Sequence, residues 1–287
     1  MKTRKPSGMD SGGRFVAPAV VLLFFVTIYP VLYVFYLSLH RRLLIFDISE
    51  FVGLGNYLFL LEDDRFWNAL RNTLYFTSVS VSLELSAGLC IAVLLHRNFR
   101  FKGMVRSVVL IPWAVPTVVS ARMWEWIYNT DFGILNYLLG STTNWIGSPA
   151  WAIHAAVFMD VWKTTPFVAI LLMAGLQVIP DELYKAARVD GAGSWAVFRR
   201  ITLPLLKPVI LVVLIFRTLD AFRVFDAVYV LTGGGPANTT ETLSIYAYKV
   251  LFQTLQFGYG ATLSAIVFLC VGGISLFYVK LLSRSMK

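Results

Sequence analysis

Six long apolar runs constrain this chain more than any other feature. They cover residues 15–39, 72–95, 105–127, 151–176, 205–230 and 259–282. Each is long enough to cross a bilayer, since a spanning helix needs about 20 mainly apolar residues. The composition agrees, because 57% of the residues are hydrophobic and 14% are charged, whereas a soluble domain carries about 25% charged residues. The sequence therefore predicts an all-α integral membrane protein with six transmembrane helices.

The first run follows a basic segment, as the apolar core of a signal peptide also does. It is about 25 residues long, and no convincing small-residue cleavage site follows it. These features favour a retained helix. We therefore expect an N-terminal tail at 1–14, a six-helix membrane domain at 15–282 and a C-terminal tail at 283–287.

Lysine and arginine are distributed unevenly between the two sets of flanking segments. Sixteen lie in 1–14, 96–106, 177–208 and 280–287, and five lie in the opposite set, 39–71, 128–150 and 231–258. Basic residues accumulate on the cytoplasmic side of membrane proteins. Both termini are therefore predicted to be cytoplasmic. The net charge of +9 has the same explanation, and we expect no nucleic-acid partner.

The fourth connection, 177–204, is polar and has the signals of ordered structure. Pro180 is suited to the start of a helix, and Gly191 is suited to a left-handed stop. Ser194 is a candidate cap for a second short helix, and Pro204 marks the entry to the next span. The residues alone fit two interpretations, a helix lying at the membrane surface or a docking site for a cytoplasmic partner.

The same loop resembles a motif of the permease subunits of binding-protein-dependent ABC importers. Their "EAA" loop reads roughly E-A-A-x-x-D-G-A and, about eight residues later, I-x-L-P; this chain has "KAARVDGA" at 185–192 and "ITLP" at 201–204. The family's glutamate position is a lysine here. The resemblance implies a type I importer permease fold. It also implies contact with an ATPase at Lys185, Ala186, Ala187, Asp190, Gly191 and Ala192.

Two further stretches resemble the sugar branch of this family, the maltose-type first permease. They are "VWKTTPF" at 161–167 and "FDAVYVLTGGGP" at 225–236. The first of these and "FRTLDAFRVFD" at 216–226 look most like trehalose importers of mycobacteria and related bacteria. The resemblance covers about residues 15–282. It implies import of a di- or oligosaccharide across the bacterial inner membrane, with trehalose or a maltose-like sugar as substrate.

The family resemblance also implies the partners. These are a second permease, two cytoplasmic ATPase subunits and an extracytoplasmic sugar-binding protein or lipoprotein, in addition to membrane lipid. The glycine-rich segment Gly233, Gly234, Gly235 and Pro236 would contact the binding protein. A flexible turn is the other interpretation of that segment.

Charged residues within spans are costly and mark functional sites. All but Glu84 lie three residues from an opposite charge, which makes them neighbours on one helix: Arg122, Glu125, Asp160, Lys163, Arg217, Asp220, Arg223 and Asp226. They fit either substrate contact or mutual neutralisation. Trp162, Phe167, Phe222 and Phe225 would supply rings for a sugar. The resemblance implicates Asp160, Lys163, Thr164, Phe167, Arg217 and Ala221 in substrate binding, and the charge pattern adds Asp220 and Arg223.

The sequence lacks the motifs that would indicate catalysis. It has no G-x-x-x-x-G-K-[ST] phosphate loop, no G-x-S-x-G elbow and no H-E-x-x-H zinc motif. We therefore expect no enzymatic activity, no cofactor and no metal, with ATP bound by partner subunits. A permease for a polyol, a glycerol phosphate or another small polar solute is the main alternative. A secondary transporter would be expected to show internal repeats, and no clear repeat is present.

Overall fold

The computed structural model describes residues 9–97 and 99–285, and the side chains of 15–97 and 99–283. Within these ranges five continuous helices are long and apolar enough to cross a membrane, and a sixth candidate is a pair of helices joined by a bend. The continuous spans are Phe15–Ser38, Asp64–His96, Ala152–Gln177, Ser194–Phe222 and Phe257–Ser283. Most of the predicted N-terminal tail, 1–8, lies outside the described residues.

The helices and strands follow in chain order, beginning with helix α1, which starts within the predicted tail. They are α1 Met9–Ser38, β1 His40–Leu43, β2 Ile48–Phe51, α2 Gly55–Glu62, α3 Asp64–His96, α4 Lys102–Ala114, α5 Thr117–Ile127, α6 Ile134–Leu139, α7 Ala152–Gln177, α8 Asp181–Val189, α9 Ser194–Val197, α10 Leu203–Phe222, α11 Asp226–Thr232, α12 Leu243–Phe252 and α13 Phe257–Ser285. The short antiparallel hairpin β1–β2 is an exception to the all-α prediction.

The third predicted span, 105–127, is not one straight helix. Helices α4 and α5 meet at an angle of 93°. Pro112 lies inside α4, and Pro116 precedes α5. Proline has no amide hydrogen and disfavours a helical conformation in the preceding residue. The two prolines therefore explain the break that the apolar pattern does not reveal.

Two other predicted span boundaries were wrong. The second span begins at Asp64 rather than at residue 72, because the side chain of Asp63 caps the new helix by accepting the Arg65 amide at 2.9 Å. The fifth span ends at Phe222 rather than at residue 230. A break of three residues separates it from α11, which starts at Asp226.

The fifth span also begins earlier than predicted. Helix α9 passes through a π-helical turn, Phe198–Thr202, directly into α10. Pro204 thus lies in the first turn of α10, where its missing amide hydrogen costs little, and it does not separate two helices. The predicted cap at Ser194 is also wrong, because Gly193 is the N-cap residue and no side chain caps this helix.

The chain divides into two compact units, Met1–Glu62 with Ala247–Ile266, and Asp63–Tyr246 with Val267–Lys287. In the first unit, Asn56 Nδ2 donates to the carbonyls of Ser38 and His40 at 2.8 and 2.9 Å. The Thr262 hydroxyl donates to the Ser38 carbonyl at 3.2 Å. These bonds hold the end of α1 to the hairpin and to α13.

The core of the second unit is formed where α3, α7 and α10 pack together. Small residues allow this close packing, as is usual between helices in membranes. A Cβ on Gly88 of α3 would lie 2.5 Å from Val168 Cγ1 of α7, and one on Gly175 would lie 2.8 Å from Leu206 Cδ1 of α10. The packing brings the central parts of α3 and α7 and the C-terminal turns of α10 to one polar centre.

Candidate functional site

A cavity of about 490 Å³ opens beside the middle of α7 and the C-terminal turns of α10. All eight residues predicted to bind substrate line it: Asp160, Lys163, Thr164, Phe167, Arg217, Asp220, Ala221 and Arg223. Because α7 and α10 are successive spans that run in opposite directions, 160–167 and 217–223 can reach the same depth. The structure places these residues together, and their binding of substrate stays a prediction.

Arg217 is the centre of a buried ion network. Its Nε and Nη2 atoms donate to Glu84 Oε2 and Oε1 at 2.5 and 2.9 Å. Nη1 donates to Asp220 at 2.7 Å, and Nη2 also approaches Asp160 at 3.3 Å. The Thr164 hydroxyl donates to Glu84 at 2.7 Å. One guanidinium thus joins three helices and fixes three carboxylates.

Glu84 belongs to this network but was not among the site residues predicted from the sequence. Its side chain has no exposed surface, and that of Arg217 is 4% exposed. The sequence contained a signal, since Glu84 was the one intramembrane charge without an opposite charge three residues away. A buried charge needs a partner, so a carboxylate with none on its own helix required a cation from another.

The predicted pairing by three-residue spacing is correct for some charges and wrong for others. Arg122 and Glu125 form an exposed ion pair at 2.6 Å. Asp220 contacts both Arg217 and Arg223, at 2.7 and 3.6 Å. The remaining two predicted pairs, Asp160 with Lys163 and Arg223 with Asp226, are not formed among the described residues.

Lys163 has an unusual position in the cavity wall. The residue is 8% exposed, and it makes no hydrogen bond and no ion pair within 4 Å with the described residues. Asp160, on the same helix, approaches Arg217 instead. A desolvated ammonium group is costly without a partner. Lys163 therefore offers three unused donors to whatever occupies the cavity.

Aromatic rings form a second wall. Trp113 of α4 and Phe167 of α7 stack with their centroids 5.6 Å apart and their planes at 23°. Phe216 and Phe225 also line the cavity. Trp113 was missed because it belongs to a different span from the recognised motifs.

Two of the four predicted sugar-binding rings lie elsewhere. Phe222 is buried in the core at 2% exposure. Trp162 packs edge-to-face against Trp124. Both are close to the predicted site in sequence, but they project from their helices in other directions.

The cavity therefore combines charged hydrogen-bonding groups on one side with flat apolar rings on the other. A pyranose has hydroxyl groups around its edge and C–H groups on its faces, so it matches both walls. Arg217 and the carboxylates that it contacts are fixed before a ligand enters, because the Glu84–Arg217 pair is buried. Such a site suits a neutral polyhydroxylated solute.

The loop predicted to contact an ATPase is ordered as the short helix α8, a glycine turn and α9, which continues into α10. Gly191 has φ +76°, which confirms the predicted left-handed stop. The Ala192 amide donates to the Ala187 carbonyl at 2.9 Å, and the Asp190 amide donates to Ala186 at 3.0 Å. Ala187 is the buried member of the motif, and Lys185, Ala186, Asp190 and Gly191 are exposed.

The apolar side chains of α8 are only partly buried. Leu183 is 41% exposed, whereas Ala187 is 8% exposed. Val189, the last residue of α8, and Trp195 of α9 are 86% and 70% exposed. Large apolar side chains in these positions are typical of a surface that meets a partner or a lipid interface.

The glycine-rich segment at 233–236 is held by hydrogen bonds. Gly233 and Gly234 both have positive φ, +63° and +87°. The Thr240 hydroxyl lies 2.7 Å from that of Thr232 and 2.9 Å from the Gly235 carbonyl. Gly234 is buried, and Gly233, Gly235 and Pro236 are half-buried. The segment is thus a supported turn whose surface is partly accessible.

The comparisons with known families cover most of the chain. Residues 85–287 match the model of the family described as binding-protein-dependent transport system inner membrane component. The trehalose/maltose transport system permease protein MalF of Thermococcus litoralis is 45% identical, and the alignment covers 94% of this chain and 92% of the relative. The trehalose transport system permease protein SugA of Mycobacterium tuberculosis is 43% identical, with 93% and 86% covered.

Solved structures show the same fold. A bacterial ABC transporter involved in the import of the acidic polysaccharide alginate contains a chain that superposes with a TM-score of 0.84, at 20% identity, covering 96% of this chain and 95% of that one. A chain of the bacterial alginate transporter in complex with an alginate pentasaccharide-bound periplasmic protein superposes with a TM-score of 0.81 at 21% identity. The superposition covers 92% of this chain and 91% of that one.

Proposed function

The chain belongs to the family of inner membrane components of binding-protein-dependent transport systems, and on this basis we propose that it forms the path by which a di- or oligosaccharide enters the cell. Trehalose and maltose-like sugars are the proposed substrates. The observation that carries the proposal is the cavity, where an unpaired Lys163 and the Arg217 network face the stacked rings of Trp113 and Phe167.

The cavity residues have different roles in this proposal. Lys163, Asp220 and Arg223 donate to or accept from sugar hydroxyls, and charge-assisted hydrogen bonds of this kind are stronger than neutral ones. Trp113 and Phe167 pack against the apolar face of a sugar ring. Arg217 is oriented by Glu84, so that its remaining contacts with Asp160 and Asp220 keep both carboxylates in place.

The relatives support a carbohydrate substrate. Two have names that specify trehalose, and a third, 38% identical, is the sulfoquinovosyl glycerol transport system permease protein SmoG of Agrobacterium fabrum. The lining of the cavity has no excess of positive charge that would favour an anion, because the carboxylates of Asp160, Asp220 and Asp226 balance the cations of Lys163, Arg217 and Arg223. A neutral glycoside is therefore the proposed cargo rather than a glycerol phosphate.

Energy for transport is proposed to come from partner subunits. Two ATPases would dock on the loop 177–204 from the cytoplasm, through the exposed residues of α8 and the Gly191 turn. A second permease would complete the path, and an extracytoplasmic binding protein would deliver the sugar. This assignment places both termini in the cytoplasm of a bacterial cell and the chain in its inner membrane.

Substitution of Lys163 tests the sugar site. Lys163→Met keeps the length and apolar stem of the side chain and removes its donors. We expect the complex to assemble, and trehalose uptake to fall by about 10-fold to 100-fold, as for the loss of one charge-assisted hydrogen bond. Lys207→Met, the same change at an exposed position of α10, is the control. Normal uptake by an assembled Lys163→Met complex would contradict the site.

A further inference from the structure

Side chains from the first turns of α3 bind the loop that joins α11 to α12. Arg65, Asn68 and Asn72 are spaced by three and four residues, so they share one face of the helix. Arg65 Nε and Nη2 donate to the two carboxylate oxygens of Glu241 at 2.7 and 2.8 Å. This is the bidentate geometry that gives arginine pairs both strength and a fixed direction.

Helix α3 also forms hydrogen bonds with the backbone of the loop. Asn68 and Asn72 donate to the carbonyl of Asn238 at 2.8 and 3.2 Å, and Asn72 also donates to the carbonyl of Glu241 at 3.1 Å. The Glu241 side chain has no exposed surface, whereas that of Arg65 is 38% exposed. A fully buried carboxylate depends on its cation, so the loop conformation depends on Arg65.

The start of α12 is fastened to the same helix end. The Leu243 amide donates to the Thr73 hydroxyl at 2.9 Å. The Tyr246 hydroxyl donates to Asp63 at 2.5 Å, and the guanidinium of Arg65 lies 4.6 Å from the centre of the Tyr246 ring. The segment from 238 to 246 is therefore tied to α3 by side chains at several successive points.

Helix α3 also carries Glu84. Glu84 lies nineteen positions after Arg65 in the same uninterrupted helix, a distance of about 28 Å at 1.5 Å per residue. Arg65 is thus too far from the cavity to touch a sugar bound there. If the loop moved while α3 stayed in place, the ion pair and the asparagine contacts would have to break. A displacement of the loop would therefore be transmitted to α3, which orients Arg217 through Glu84.

We propose that Arg65 and Glu241 are positioning residues for the docking of the binding protein. Their ion pair holds the segment 233–242 in the shape that the binding protein meets, and it joins that surface to α3. The inference rests on the proposed function and on the family resemblance, which implies that the segment from Gly233 to Pro236 contacts the binding protein. It assigns to a pair outside the cavity a role in the delivery of sugar.

The test is a titration of the assembled transporter with its trehalose-loaded binding protein, measuring ATP hydrolysis in lipid nanodiscs. Glu241→Gln keeps the shape of the side chain and removes its charge. We expect the concentration for half-maximal stimulation to rise at least five-fold, while ATP hydrolysis without binding protein is unchanged. Glu125→Gln, the same change in the exposed pair with Arg122, is expected to titrate like the wild type.

Two further variants separate docking from folding. In the reversed pair, Arg65→Glu with Glu241→Arg, we expect the binding-protein concentration for half-maximal stimulation to return most of the way to the wild-type value. If it does not return, a role for the ion pair itself is overturned. Asn68→Ala removes one loop contact and leaves the ion pair, and we expect a rise of about two-fold.

An assembled Glu241→Gln complex with a wild-type titration would overturn the inference. The inference would also be overturned if the Glu241→Gln chain did not assemble and the Asn68→Ala complex titrated like the wild type. Absence of stimulation in the wild type would instead contradict the proposed function, and the inference with it.

Discussion

Glu84→Gln is the sharpest perturbation of the structure. The substitution keeps the volume of the side chain but removes the negative charge that faces the guanidinium of Arg217. Two contacts of 2.5 and 2.9 Å are affected, and the side chains are 0% and 4% exposed. The buried cation then depends on Asp160 at 3.3 Å and Asp220 at 2.7 Å.

Loss of one partner of a buried ion pair costs about 3–5 kcal/mol. The two remaining carboxylates favour the lower end, about 3 kcal/mol. For a chain slightly longer than 250 residues, 1 kcal/mol corresponds to about 2 °C, so we expect the thermal midpoint of the purified complex to fall by about 6 °C. Trehalose uptake should fall as well, because Arg217 loses its orientation.

The exposed pair of Arg122 and Glu125 provides the control. Its side chains are 64% and 37% exposed, and exposed pairs contribute about 0–1 kcal/mol. Glu125→Gln should therefore leave the midpoint within about 2 °C of the wild type. Equal midpoints for Glu84→Gln and Glu125→Gln would refute the buried network as a source of stability.

Three further predictions concern the loop, the orientation and the helix packing. Gly191→Asp places a side chain at φ +76°, which costs on the order of 1 kcal/mol or more, and adds charge to the ATPase dock; membrane insertion should persist while uptake and sugar-stimulated ATP hydrolysis fall, and normal values would exclude coupling through this turn. After replacement of the native cysteines, a cysteine at Thr142 should react with an impermeant thiol reagent added outside cells and one at Ser194 should not; the reverse would overturn the orientation. Gly88→Ala brings a Cβ to 2.5 Å from Val168 Cγ1, and overpacking of this kind costs about 1–3 kcal/mol, so a lower thermal midpoint is expected, whereas an unchanged midpoint would show that α3 and α7 separate freely.

Local sequence signals were sufficient for the spans and for the glycine turn. Apolar length revealed the membrane helices, and Gly191 adopts the left-handed conformation that its position between two short helices indicated. Features that depend on residues close together in sequence could be predicted because few conformations satisfy them. The bend between α4 and α5 was missed although Pro112 and Pro116 were visible, because membrane helices also tolerate proline without breaking.

The site was predicted only as far as single helices allow. Three-residue spacing suggested that Asp160 would pair with Lys163, but Asp160 approaches Arg217 of another helix instead. Glu84 and Trp113 entered the site through packing between helices that are distant in sequence. Such contacts leave no periodic pattern in one chain, and an unpaired charge such as Glu84 indicates only that a partner exists.

Uptake of labelled sugar by reconstituted vesicles measures the proposed transport itself. Proteoliposomes containing the complete transporter would be loaded with ATP and given labelled trehalose with its binding protein outside. The account predicts uptake that requires both ATP and the binding protein, and that falls by about 10-fold or more when Lys163 is replaced by methionine. Uptake driven by a proton gradient without ATP, or the absence of trehalose and maltose uptake by the complete transporter, would contradict it.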